Sequence, residues 1–154
     1  DTGSARWSAV LPGNLVAPMQ VCRAVLPHLA EAGIVAFMSS ESVARPRPAL
    51  VPCTSSKAAL ETAIAGWRAE HPDIRFSTIC VGATIGTDFS RDFGAEILGD
   101  ALNEWIKGGH LPARNMEPVA VGETIAEILA VAISHPDVAV TTFAVQPPGP
   151  LASF

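Results

Sequence analysis

Segments rich in apolar residues mark three places along this chain where a strand is expected. They lie at 34–38, 74–81 and 138–145, and each is preceded by Gly or by a Pro-Asp pair. The segment at 34–38 is continuously apolar, which is typical of a parallel strand that is covered on both faces. The pattern therefore predicts three strands.

Between these runs, apolar residues recur at the spacing of an α-helix. Asn14 precedes the first helical pattern, and Thr54 or Ser55 precedes the second, as helix N-caps do. Residues 1–13 lack this periodicity and contain Pro12 and Gly13, so we expect them to be irregular. Helices are predicted at 14–31, 54–70, 95–107 and 118–134.

The resulting order is α-β-α-β-α-α-β, which predicts an α/β fold with a parallel sheet and right-handed crossovers. In such doubly wound sheets, ligands bind beyond the carboxyl ends of the strands. Those ends fall at Ser40, within 81–89 and at Gln146. The Pro-rich segment 41–52 and the Gly-containing segment 82–95 are expected to form irregular loops at this edge.

Composition narrows the class of protein. The chain has 154 residues, 49% of them hydrophobic and 16% charged, which fits a single domain spanning 1–154. Its net charge is −5 with no Lys/Arg cluster, so no nucleic-acid partner is expected. No continuous apolar stretch reaches the ~18 residues of a membrane span, so no membrane partner is expected. The three cysteines are far apart and lack metal-ligand spacing, which favours no metal site and a cytoplasmic location.

Five sequence segments carry candidate chemistry in a recognisable order. "WSAVLPGNL" ends near Asn14, "GIVAFMSS" ends in Ser40, and "CTSSKAALETAIAGWRAE" contains Cys53 and Lys57. "IRFSTICVGATIGTDF" and "EPVAVGETIAEILAVAISHPDVAVTTFAVQP" follow. Together, from Trp7 to Pro147, they resemble the C-terminal part of the short-chain dehydrogenase/reductase family, whose sheet is Rossmann-like.

This resemblance implies an oxidoreductase that interconverts a carbonyl and an alcohol on a small-molecule substrate with NAD or NADP. It implies that Ser40 steadies the substrate oxygen and that Asn14 anchors a proton-relaying water. Lys57 would hold the cofactor ribose and lower the pKa of a neighbouring acid. The loop beside the nicotinamide would include Gly82, Ile85 and Thr87.

Two departures from the family pattern stand out. Ser40 lies thirteen residues before Cys53, as the family serine lies before its catalytic tyrosine, yet the chain contains no tyrosine. A thiol on Cβ has a shorter reach than a phenol and is a weak hydrogen-bond donor. The Gly-rich fingerprint of the family's N-terminal, dinucleotide-binding half is also absent. Cofactor binding would therefore require an N-terminal half or a partner chain.

Four functions remain open from the sequence. The chain is an oxidoreductase that is incomplete or impaired as it stands, or a non-catalytic subunit that completes a sheet with another chain. Alternatively, Lys57 lies one helical turn after Cys53 and could favour a reactive thiolate there. A Ser40–Lys57 hydrolase dyad is the weakest alternative, because nothing in the sequence supplies an oxyanion hole.

Each candidate residue also has a purely structural interpretation. Cys53 can simply fill a gap, Asn14 can be an N-cap, and Ser40 can satisfy backbone groups at a strand end. Arg45 and Arg47 could meet an anion, although a solvated loop is the simpler expectation.

The strand at 34–38 would expose an apolar edge, since the family strand that pairs with it is missing. We therefore expect a separate N-terminal half, or a homo- or hetero-oligomer formed through helices 14–31 and 54–70.

Overall fold

Three strands form a parallel sheet at the centre of the structure, a computed structural model that describes residues 3–91 and 93–149. Strand β1 spans Ile34–Ser40, β2 spans Arg75–Val81 and β3 spans Thr142–Val145. The sheet order is β1-β2-β3, and both neighbouring pairs are parallel. The α/β fold with three parallel strands is therefore confirmed.

Helices flank this sheet. The α-helices are α1 Ser4–Leu11, α2 Ala17–Val25, α3 Val51–Glu70, α4 Ala95–Lys107 and α5 Pro118–Ser134. A 3₁₀ turn follows α2 at Leu26–His28, and another lies at Asp88–Ser90. The predicted bounds of α4 and α5 agree with the structure.

The expectation of an irregular segment before Asn14 is wrong, because the chain is already helical from Ser4. A π-helical turn at Pro12–Val16 joins α1 to α2, so Pro12 and Gly13 lie within one continuous helix. Proline lacks the N–H that a regular turn would use, and a wider π turn accommodates such a local change. Asn14 lies inside this π turn and is not an N-cap.

Helix α3 begins at Val51, three residues before the expected cap. Pro52 lies in its first turn, where a missing N–H costs nothing, and the Thr54 N–H bonds to Leu50 O at 2.8 Å. Neither Thr54 nor Ser55 caps it, since no side chain forms a cap hydrogen bond there. The irregular loop consequently ends at Leu50, whereas the helix ends at Glu70 as predicted.

Strand β3 is shorter than the run at 138–145 that predicted it. The Val138 N–H bonds to His135 O at 3.0 Å in a turn, and regular pairing with β2 begins only at Thr142. Before that point, Val140 O accepts a bond from the Ser77 hydroxyl. The carbonyl of Thr141 accepts bonds from the Thr78 N–H at 2.9 Å and from the Arg68 guanidinium. A side chain thus replaces a ladder bond at Val140, and the backbone ladder with β2 starts at the carbonyl of Thr141.

Two clusters of buried side chains hold the elements together. The larger lies where the sheet meets α2 and α3, and the smaller packs α4 against the loop before α3. In the smaller cluster, the Trp105 indole N–H donates to Pro48 O at 2.8 Å. The larger cluster contains Cys22, Phe37, Leu60, Ile64 and Phe76, and the smaller one Leu50, Ala101 and Trp105.

The continuous helix from Ser4 to His28 is long and apolar enough to cross a membrane, with a mean hydropathy of 1.3 over an 18-residue stretch. Its residues were not expected to form one long apolar helix, because Pro12 and Gly13 interrupt the pattern. Length and composition alone give the helix this property, which helices of soluble proteins share. Here one face of the helix packs into the larger core through Leu15, Met19 and Cys22.

The outer edge of β1 has no neighbouring strand among the described residues. The Glu41 N–H bonds to Val81 O at 3.1 Å, so the backbone groups of Glu41 point toward β2. Successive residues of a strand direct their N–H and C=O groups to opposite sides, so Ser39 and Phe37 also point toward β2. The N–H and C=O groups of Met38 and Ala36 point to the outer edge. A groove beside this edge is lined by Val21 and Val25 of α2 together with Met38, and Val21 and Met38 are 61% and 46% exposed.

Hydrogen exchange can test whether this edge is free in solution. We expect the amides of Ala36 and Met38 to exchange at least about tenfold faster than those of Phe37 and Ser39, because only the latter bond to β2. Residue-resolved exchange measured by NMR gives the comparison. Equal protection of all four amides would contradict a free edge and would indicate that another strand is paired there.

Candidate functional site

The carboxyl ends of the three strands meet at one edge of the sheet. Ser40 ends β1, and the next residue, Glu41, bonds through its N–H to Val81 at the end of β2. The Gly82 N–H in turn bonds to Val145 O of β3 at 2.9 Å. This edge therefore brings the loop after β1 and the loop after β2 side by side, as the parallel topology predicts.

Ser40 and Ser39 have different surroundings at the end of β1. Ser39 is buried, and its hydroxyl donates to the Glu61 carboxylate of α3. The Ser40 hydroxyl is half-buried and accepts bonds from the Ser42 N–H at 3.2 Å and from the Ser42 hydroxyl at 3.0 Å. Ser40 keeps its own proton available for donation, which suits a group that steadies an oxygen atom.

Lys57 lies on α3 next to the same strand. Its ammonium is half-buried and donates to Met38 O, two residues before Ser40, at 2.8 Å. Met38 O is one of the carbonyls on the outer edge of β1. Burial lowers the pKa of Lys57 below its ordinary value, and nearby Cys53 raises it in part. Lys57 is therefore not a fully solvated charge on the surface of the helix.

Cys53 lies in the first turn of α3 and is half-buried. Burial raises the pKa of its thiol, and the Lys57 cation opposes this effect only in part. Burial therefore opposes a reactive thiolate at Cys53, because loss of hydration outweighs the favourable charge of Lys57, and the reactive-thiolate hypothesis stays a prediction.

Asn14 contacts the helix that carries Cys53 and Lys57. Its side-chain amide donates to the Ser56 hydroxyl at 3.0 Å, and that hydroxyl donates to Cys53 O at 2.8 Å. Ser56 is fully buried. Its role as the link between Asn14 and the first turn of α3 was not predicted, because nothing in the sequence distinguishes it from the neighbouring serine. The pair fixes the first turn of α3 against the π turn of the preceding helix.

The loop after β2 packs tightly against neighbouring residues at its start, whereas its later side chains are exposed to solvent. A Cβ at Gly82 would lie 3.0 Å from a Glu41 carboxylate oxygen and 3.3 Å from Gln146 Cα. The Ile85 N–H bonds to Met116 O at 3.0 Å, while the Ile85 side chain is 46% exposed. Thr87 is also exposed. Gly82 therefore lies at the strand ends, whereas Ile85 and Thr87 extend away from them.

The loop after β1 contains a buried ion pair that the sequence did not reveal. Arg47 bonds to the Glu41 carboxylate, and each side chain is only 10% exposed. The expectation of a solvated loop is therefore wrong for Arg47, although Arg45 is exposed. The loop folds back on itself because Arg45 N and Val43 N bond to Glu41 O and Ser40 O.

The reactivity of Cys53 tests the electrostatics of this site. Because its pKa is raised, we expect iodoacetamide to alkylate Cys53 more slowly than free cysteine at neutral pH. The midpoint of rate against pH is expected above that of free cysteine. Lys57→Met should slow the reaction further by removing the opposing cation, whereas Lys107→Met on the exposed face of α4 should leave it unchanged. Mass spectrometry of the Cys53 peptide gives the rate. A rate above that of free cysteine, lost in Lys57→Met, would restore the reactive-thiolate hypothesis.

Comparison with known proteins identifies relatives of the chain. The short chain dehydrogenase family model matches residues 1–97, more than half of the chain. The short-chain dehydrogenase/reductase cdmF of Talaromyces verruculosus is 27% identical over 135 residues, covering 83% of this chain and 52% of that protein. The short chain dehydrogenase penD of Penicillium thymicola is 31% identical over 134 residues, covering 84% and 47%. The chain spans about half the length of these curated relatives.

Solved structures share the fold. An alcohol dehydrogenase from the archaeon Thermococcus sibiricus, complexed with 5-hydroxy-NADP, superposes with a TM-score of 0.71 at 20% identity, covering 97% of this chain and 58% of that one. An NADPH-bound short chain oxidoreductase from Pseudomonas aeruginosa, described as containing an atypical catalytic center, gives 0.70 at 19%, covering 94% and 57%. At these identities the likeness establishes a Rossmann-like fold.

Proposed function

Because this chain belongs to the short-chain dehydrogenase/reductase family, we propose that it forms the substrate side of an NAD(P)-dependent oxidoreductase acting on a carbonyl or alcohol. The observation that carries this proposal is the contact between Lys57 of α3 and the end of β1, beside Ser40. It supports a site in which the serine strand and the lysine helix serve one ligand.

The residues at the strand ends fit the nicotinamide end of a dinucleotide. Lys57 supplies a half-buried cation, Ser40 a hydroxyl, and Gly82 a close turn without a side chain. When bound, the cofactor would supply or accept the hydride. The sequence holds no Gly-x-Gly-x-x-Gly segment for the pyrophosphate, so that end of the cofactor needs residues from elsewhere.

In this proposal, Ser40 donates its hydroxyl proton as a hydrogen bond to the substrate oxygen, and Lys57 contributes positive charge where negative charge develops. Cys53 occupies the position of the family's acid, but its raised pKa and short side chain make it a poor proton donor to that oxygen. The Pseudomonas aeruginosa oxidoreductase that shares this fold is NADPH-bound and contains an atypical catalytic center.

The free edge of β1 supports a second polypeptide segment in the complete protein. Parallel sheets are normally covered on both faces, and a strand in the interior of such a sheet pairs with a neighbour on each side. Since the chain spans about half of its curated relatives, we infer that an N-terminal half, in the same polypeptide or another, pairs with this edge. The three cysteines are unpaired, which is consistent with a reducing cytoplasm.

A non-catalytic subunit is the second candidate function. The observation that favours it is the absence of tyrosine from the whole chain. Under this hypothesis, the apolar groove beside β1, with Val21 and Val25 on α2, serves assembly and not substrate binding.

Restoring the phenol distinguishes the two candidates. We expect Cys53→Tyr to raise NADPH-dependent carbonyl reduction about 100-fold over the wild-type chain, since a positioned general acid contributes factors of this size. Cys53→Phe is the matched control because it adds the ring without the hydroxyl. The assay follows consumption of NADPH with a panel of ketones. If Tyr and Phe variants are equally inactive while both bind NADPH, the oxidoreductase proposal fails and the subunit role is favoured.

A further inference from the structure

The buried ion pair between Glu41 and Arg47 connects the segments that carry the candidate site residues. Glu41 directly follows Ser40, and its N–H pairs with the end of β2. Arg47 belongs to the same loop, three residues before Leu50, and the Leu50 N–H bonds to Arg47 O at 3.2 Å. Leu50 O in turn accepts the Thr54 N–H in the first turn of α3, beside Cys53.

The same carboxylate also faces the loop after β2. One oxygen of Glu41 bonds to Arg47, and the other would lie 3.0 Å from a Cβ placed on Gly82. The carboxylate therefore lies where three segments converge: the end of β1, the lead into α3, and the start of the loop that begins at Gly82.

Burial of this pair argues for positioning more than for stability. Both side chains are 10% exposed, and the Arg47 Nε has no hydrogen-bond partner among the described residues. A buried ion pair carries a desolvation penalty that its attraction often does not repay, whereas its directed bonds fix one geometry. By contrast, the Arg91–Asp88 pair is 67% and 74% exposed and fixes little.

We propose that Glu41 and Arg47 are positioning residues that hold the Ser40 strand end and the Cys53 helix start in register. This proposal rests on the proposed function for its catalytic meaning, although the geometric effect stands independently. Neither residue touches the reacting atoms. They act through the loop backbone, which the Trp105 bond to Pro48 O anchors on its far side.

Alkylation of the cysteines provides a readout that does not depend on activity. Cys53 reports the start of α3, while Cys22 is 1% exposed in the larger core and reports opening of the whole domain. In Glu41→Gln and in Arg47→Met we expect the Cys53 rate with iodoacetamide to rise about fivefold relative to the Cys22 rate. Arg47→Lys keeps the positive charge but loses the planar guanidinium. We expect its Cys53 rate to lie between the rate of Arg47→Met and that of the wild-type chain.

A double variant separates positioning from stability. Glu41→Leu with Arg47→Met removes both charges together, so it avoids an unpaired buried charge and should melt near the wild-type temperature. We expect its Cys53 rate to be raised as in the single variants, since all of them lose the same directed bond. Asp88→Asn and Arg91→Met, in the exposed pair, should leave both cysteine rates unchanged.

The outcomes decide the proposal and keep it distinct from the proposed function. Cys53 rates that stay within about twofold of wild type in all pair variants, or that rise only together with Cys22, would overturn it. NADPH titration by Trp fluorescence then adds the functional meaning, with affinity expected to fall about tenfold in the pair variants. If the wild-type chain shows no quenching, NADPH binding needs the N-terminal half that the proposed function invokes, and the cysteine rates alone decide the role of the ion pair.

Discussion

The parallel pairing of β1 with β2 is the constraint on which the rest of the structure depends. Its register aligns Ser40 with Val81, so both strands end at the same level and their following loops leave the sheet together. Helix α3 packs across these strands and places Lys57 against Met38 O. Without this register, the serine strand and the lysine helix would not lie at one edge, and no common site would exist.

Packing of α3 against these strands also changes the pKa values of two side chains at the start of the helix. Helix α3 must be buried against the sheet, because Leu60 and Ile64 fill the larger core. That burial also withdraws water from Cys53 and Lys57, which raises the pKa of the thiol and lowers the pKa of the amine. Burial therefore shifts both groups toward their neutral forms without settling their charge. In the proposed site, a raised thiol pKa makes Cys53 a weaker proton donor than an unperturbed thiol.

Much of the fold could be predicted from periodicity because long apolar patterns carry strong signals. Helices α4 and α5 and the first two strands follow directly from such patterns. The helix before Asn14 could not be predicted, since Pro12 and Gly13 are typical helix breakers and only the π turn accommodates them. The apolar run at 138–145 overstated β3, because the bonds that Ser77 and Arg68 make to its first carbonyls depend on tertiary contacts.

The candidate site was predictable only in part. Ser40 and Lys57 followed from the resemblance, and the structure brings their segments together. The Asn14–Ser56 bond and the Glu41–Arg47 pair form between side chains that only the folded chain brings together. In the sequence, nothing distinguishes Arg47 from a solvated arginine in a Pro-rich loop. The resemblance therefore named candidate residues, whereas the side chains that hold them in place could be found only from the three-dimensional structure.

We propose that the strand ends around Ser40 form the nicotinamide side of a dinucleotide site. Because the pyrophosphate end of the cofactor needs residues from elsewhere, the most direct measurement is an NMR titration of the purified chain with reduced nicotinamide mononucleotide, followed through assigned backbone amides. We expect saturable shifts concentrated at Ser40, Lys57 and Gly82. A second groove lies between α5 and β3 and is lined by Thr124, Ile128 and Ala144. Shifts confined to that groove, or saturable binding that leaves Ser40, Lys57 and Gly82 unmoved, would contradict the proposal.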